Sequence, residues 1–190
     1  MEDDSINKLL TVNAVLVFLL LIFAACDGGS DGGDASPGPT NPPPTNPPPD
    51  DFESTMLGLL NDARAEGRNC GNEFFPAAPP LGWDDRIEAA ALGHSMDMAE
   101  NQFFSHEGSD GSDTGDRLMN EGYDPSAWGE TILAGIEDEA AVVEAFLDSP
   151  GHCAILMDPA YEDVGAGFAE GLFQGSSTLY WTIDVATESN

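Results

Sequence analysis

The sequence predicts an α+β domain that follows an export signal and a tether, and three observations carry this reading. Apolar stripes at helical spacing crowd the first half of the region after residue 51, and strand-like runs spread through its second half. Before Phe52 the composition cannot build a packed core.

The leading segment contains an unbroken apolar run of twelve residues, Ala14 to Ala25. That is short of the ~20 needed to cross a bilayer, so it reads as the apolar part of a signal, residues 1–25. Its end, Phe23-Ala24-Ala25-Cys26, resembles a bacterial lipobox, which makes Cys26 the expected lipidation site. Residues 26–51 are rich in Gly, Ser, Asp, Pro and Asn, with the near-repeat Thr40-Asn41-Pro42-Pro43-Pro44 and Thr45-Asn46-Pro47-Pro48-Pro49. Such a stretch favours extended polyproline II at ~3.1 Å per residue, a tether several tens of ångström long.

Residues 52–190 suit one domain with one core. The chain carries 35 acidic residues against five Lys and Arg, a formal charge of −30. This excludes nucleic acid as a partner, because phosphate binding needs clustered cations, and it suits cations, basic partners or salty surroundings. Cys70 and Cys153 fall in an exported, oxidising context and are expected to form a disulfide; two cysteines alone are a weak zinc signal.

Phe52, Met56, Leu59, Leu60 and Ala63 form a helical stripe, with Asp50 and Glu53 placed like a capping box and Gly67 closing it. Asn69 to Trp83, with Pro76, Pro79 and Pro80, reads as a surface loop whose Leu81 and Trp83 plug the core. Asp84-Asp85 starts a second helix, striped by Ile87, Ala91, His94 and Met98, so His94 is expected as a packed core histidine. Phe103-Phe104-Ser105-His106 ends it and leads into a loop over Glu107 to Asp113. Thr114 to Glu121 is a short helix closed by Gly122. Trp128 to Leu133 has strand character, with Glu130 and Ile132 on one face. Glu139 to Leu147 is a helix. Val164 to Ala169 and Thr178 to Val185 read as two antiparallel strands. Between these, Ser149 is a good N-cap and Pro150 fits a first helical turn, which puts His152 where the helix dipole favours a neutral ring.

His94-Ser95-Met96-Asp97-Met98-Ala99, Phe103-Phe104-Ser105-His106, Gly122-Tyr123, Gly129-Glu130-Thr131, Ser149-Pro150-Gly151-His152, Val164-Gly165-Ala166-Gly167 and Tyr180-Trp181-Thr182 occur in this order. Together they resemble bacterial domains of the CAP (SCP-like) superfamily, over nearly all of Phe52 to Ala186. The resemblance implies an α-β-α sandwich with a central antiparallel sheet and a cleft lined by His and Glu. Carried over by position, His106 matches the first cleft histidine, Glu130 the carboxylate of a Gly-Glu-Asn motif and His152 the histidine of the Ser-Pro-Gly-His motif. Thr131 replaces the Asn and Ile183 replaces a common Gln. Asp184 and Asp110 are the two candidates for a further acidic member.

Two imidazoles and a carboxylate with open positions would suit Zn²⁺ or a similar divalent ion, as His106, Glu130 and His152 would if the fold joins them. The expected function is an envelope domain, lipid-anchored and facing outside the cytoplasm, that binds a divalent metal, a small ligand or a protein in its cleft. The alternatives are a hydrolase acting on peptides or cell-wall material, for which Ser105 is the hydroxyl next to His106, and a lipid- or sterol-binding module.

Overall fold

The computed structural model describes residue 49 and residues 51–189. The signal, Cys26 and the tether up to residue 48 lie outside the described residues, as does Asp50 of the expected capping box. The first helix, α1, spans Phe52–Arg64 with Asp51 as its N-cap; the Asp51 side chain makes no cap bond. Phe52, Met56 and Leu60 are buried as the stripe predicts, and so is Arg64, which the stripe does not foretell. Arg64 replaces lost water with four carbonyls, donating to Pro79 O, Leu156 O, Asp158 O and Tyr161 O.

The stretch expected as a loop is partly ordered strand. A hairpin of β1 (Arg68–Cys70) and β2 (Glu73–Phe75) turns at Gly71, whose φ of +66° favours glycine, and β3 (Gly82–Trp83) follows. Three-residue strands carry too few positions to show period-2 alternation, which is why the prolines dominated the reading. Leu81 is buried in the core and Trp83 packs against it.

Helix α2 spans Asp85–Asn101, its first turn capped by the Asp84 carboxylate accepting from Arg86 N. Helix α3 (Thr114–Asn120) begins with a reciprocal capping box between Asp113 and Asp116. Strand β4 (Pro125–Ala134), helices α4 (Glu139–Asp148) and α5 (Pro150–Leu156), and strands β5 (Asp163–Phe173) and β6 (Ser176–Glu188) complete the domain. Ser149 precedes α5 without a side-chain cap bond, and Pro150 takes the first helical position. Gln174 and Gly175, both at positive φ, make the tight turn of the β5–β6 hairpin.

The main sheet has the order β3-β5-β6-β4; β5, β6 and β4 are antiparallel, and the short β3 joins β5 in parallel. One face carries α1, α4 and α5, whose Phe52, Met56, Leu60, Val142, Phe146 and Leu156 pack with Val164, Ala166, Trp181, Ile183 and Val185. The other face lies against α2 so closely that glycine is needed. A Cβ built on Gly165 would stand 2.1 Å from the Glu88 amide nitrogen, and one on Gly167 would stand 2.4 Å from Leu92 Cα. The result is an α-β-α sandwich, as expected, with β4 at one edge of its sheet.

Candidate functional site

Alternation along β4 turns Trp128, Glu130 and Ile132 toward the layer of α2 and α3. The Glu130 side chain is only 3% exposed, so its carboxylate must be satisfied by protein. His106 Nδ1 donates to Oε1 at 2.6 Å, and Arg117 Nη2 donates to Oε2 at 2.5 Å. Because a carboxylate only accepts, the proton of a neutral His106 sits on Nδ1, and its Nε2 is left as an acceptor. The His106 side chain is 58% exposed, so this nitrogen belongs to a ring open to solvent.

Arg117 projects from α3 and gathers the loop before it. It donates to Ser112 O (3.0 Å), His106 O (3.2 Å) and Thr114 Oγ1 (3.1 Å) besides Glu130. One guanidinium therefore neutralises the buried carboxylate and fixes the backbone that carries His106. The sequence reading missed Arg117; in a chain this acidic, an arginine three residues into a helix that follows the His106 loop was the available signal.

His94 is fully buried, as its apolar stripe predicts. Its Nε2–H donates to Ser105 O at 2.9 Å and stands 3.9 Å from Glu130 Oε1. Burial holds its pKa below the ordinary histidine value, with Glu130 opposing the shift. Thus His94 anchors the turn into His106 from beneath.

His152 enters from the opposite layer, half-buried near the start of α5, with its ring edge-on to Phe146 at 5.2 Å. Its pKa is lowered first by burial and then by the nearby His106. Both causes act in the same direction as the helix start at Ser149, favouring the neutral ring. The Cys70–Cys153 disulfide ties the next residue to the β1–β2 hairpin, with Cα atoms 5.4 Å apart.

Of the two acidic candidates, Asp184 faces Glu130 across the β4–β6 ladder and is fully buried; neither of its oxygens has a hydrogen-bond partner among the described residues. Burial, reinforced by Glu130, raises its pKa well above the ordinary value and so favours the protonated form. Asp110 instead lies on the exposed loop and accepts from Ser112 N at 2.9 Å. Ser105 Oγ accepts from Glu107 N at 3.1 Å, an ordinary turn bond. Among the described residues, no group of three or more His, Cys, Asp or Glu side chains is arranged to hold a metal ion.

The sequence profile of the CAP, or Cysteine-rich secretory protein, family matches residues 57–185. The chain belongs to the CAP family. Over 87 residues it is 38% identical to an uncharacterized membrane protein, YlbC, of Bacillus subtilis (strain 168), covering 46% of this chain and 25% of that one. It is 28% identical over 91 residues to YkwD of the same organism, covering 48% of this chain and 35% of the relative. The matched region thus spans about a third or less of these relatives' length. Among solved structures, an outer surface protein from Borrelia burgdorferi superposes with a TM-score of 0.56 at 18% identity, covering 73% of this chain and 90% of that one. An extracellular SCP-domain protein from Bacillus anthracis str. Ames gives 0.52 at 23% identity, covering 76% and 45%. These likenesses establish the CAP fold, in a setting of bacterial membrane-associated and extracellular relatives.

Proposed function

We propose that this CAP domain is held outside the cytoplasm by a lipid on Cys26 and binds an exchangeable divalent cation, Zn²⁺ foremost, between His106 and His152. The observation that supports it is the Glu130–His106 pair: a buried carboxylate at 2.6 Å fixes the ring's tautomer and orientation and leaves Nε2 as the free acceptor of a ring that is 58% exposed. A carboxylate behind a ligating histidine is the usual supporting arrangement for zinc. In this reading Glu130 orients His106 instead of touching the ion, since both its oxygens already accept protein bonds. His152 contributes a neutral ring, and the charge of −30 concentrates cations around the cleft. Two imidazoles leave open positions for water or a ligand group and fit a loosely held ion better than a structural one.

Elemental analysis followed by calorimetric titration of the apo protein tests this. Zn²⁺ binding should weaken as pH falls through ~6.5, where free histidine takes up a proton. Binding to the native protein no tighter than to a His106→Ala, His152→Ala double variant refutes the metal reading. A hydrolase has less support, because among the described residues no hydrogen bond joins the Ser105 hydroxyl to His106 or another base. For the anchor, Cys26→Ser should move the protein from the detergent phase to the aqueous phase; unchanged partitioning refutes it.

A further inference from the structure

Two residues before Glu130 on the same face of β4, Trp128 is 45% exposed, the one tryptophan among the five large hydrophobic side chains open to solvent among the described residues. It is also held firmly. Its ring packs on Gly115 of α3 so closely that a Cβ there would stand 2.8 Å from Cζ2, and its carbonyl accepts from the Tyr161 hydroxyl at 3.1 Å. A fixed indole loses little entropy on receiving a ligand.

What surrounds the ring limits what it can receive. Asp113 Oδ1, which accepts from Asp116 N in the α3 cap, would lie 3.2 Å from that same Gly115 Cβ, so the Asp113 carboxylate, with its other oxygen left over from the cap, and the indole border one small area. The nearest guanidinium, Arg117, is spent on Glu130. The chain's total charge of −30 repels anions from the whole surface. Elsewhere the fold already uses cation–aromatic attraction, with Arg86 placed 4.8 Å from the centroid of Tyr123. An aromatic face beside a carboxylate in a negative field attracts organic cations, most strongly when the ring is an indole.

We infer that Trp128, with Asp113 beside it, forms a subsite for an organic ammonium group, primary as on a lysine side chain or quaternary as on choline. It lies along β4 from the His106 and His152 imidazoles and does not depend on the cation reading of that cleft. Three tryptophans give the test its handle. Trp83 Nε1 donates to Glu88 and Trp181 Nε1 to Ile136 O, whereas Trp128 Nε1 has no partner among the described residues, so its indole resonance is separable.

The full chain in detergent micelles is titrated with choline, with Nα-acetyl-lysine amide and with 3,3-dimethylbutanol, the uncharged isostere of choline. The subsite predicts a saturable shift of the Trp128 indole resonance with one or both ammonium compounds and none with the alcohol. The choline and lysine arms report which ammonium class it takes. By calorimetry, Trp128→Ala should weaken ammonium binding by about tenfold, Trp128→Phe should keep part of it, and the His106→Ala, His152→Ala variant should keep all of it. Equal shifts with the alcohol, no saturable shift with either ammonium compound, or undiminished binding to Trp128→Ala would each overturn the subsite.

Discussion

Arg117→Met removes the guanidinium from a carboxylate whose side chain is 3% exposed, and the loss can be sized from the site. Glu130 would keep a single donor, the His106 imidazole, in place of two. Stripping one member from a buried ion pair costs about 3–5 kcal/mol, because the remaining charge is left poorly compensated. Three further bonds disappear, to Ser112 O, His106 O and Thr114 Oγ1; the exposed bond to His106 O is recovered from water, while Thr114 is itself buried. The retained His106 donor puts the expectation at the low end of that range, about 3 kcal/mol, or roughly 10 °C in Tm for a domain of this size. Urea denaturation of Arg117→Met, Glu130→Gln and the double variant measures the coupling directly. The double variant should recover at least about 1 kcal/mol of the summed single losses, since the orphaned charge is gone. A loss under about 1 kcal/mol in Arg117→Met, with additive singles, would refute the view that this guanidinium is what allows Glu130 to be buried.

The disulfide closes a loop with a sequence separation of 83, for which chain entropy gives about 4.5 kcal/mol; Cys70→Ser, Cys153→Ser should lower the denaturation midpoint accordingly, and free-thiol labelling of the unfolded native chain should find neither cysteine. Burial holds His94 and His152 below their ordinary pKa, so the unfolded chain takes up protons first and stability should fall as pH drops below ~6.5, a slope that His94→Gln should reduce. Asp184 acts with the opposite sign: its raised pKa gives a contribution that is full below ~3.9 and lost as pH rises through the folded value, so Asp184→Asn should stabilise the protein at pH 7, read from midpoints across pH. Gly167→Ala would put a Cβ 2.4 Å from Leu92 Cα and should cost about 3 kcal/mol by forcing α2 off the sheet, measured the same way.

Much of this fold is legible because its long elements repeat an apolar period. The α1 stripe, the α2 stripe with His94 and the strands around Gly165 and Trp181 are each found where the pattern puts them. The β1–β2 hairpin was hidden because three residues per strand leave no period to read, and its position is tied to a cysteine 83 residues away. Arg64 and Arg117 were hidden for a different reason. Each is buried because carbonyls or a carboxylate from distant segments converge on it, and such convergence is a property of the fold rather than of any local spacing. Asp184 was one of two candidates for a further acidic member, with nothing in the sequence to choose it over Asp110; the β4–β6 register is what sets it opposite Glu130.

From residue 51 onward the chain has four arginines against 28 acidic residues, and the fold spends three of them on specific acceptors. Arg64 collects carbonyls beneath α5, Arg86 pairs with Asp84 and Glu188, and Arg117 pairs with Glu130. Little positive charge is left to balance the outer carboxylates, so their field reaches solution screened only by salt, over about 8 Å at physiological ionic strength. Such a surface raises the local concentration of cations at the His106 and Trp128 positions alike, which allows sites with few direct contacts to be useful. It also makes occupancy depend on ionic strength. Raising salt should weaken cation binding while stabilising the fold against its own repulsion, and the two opposite slopes separate the long-range field from the contacts made within the cleft.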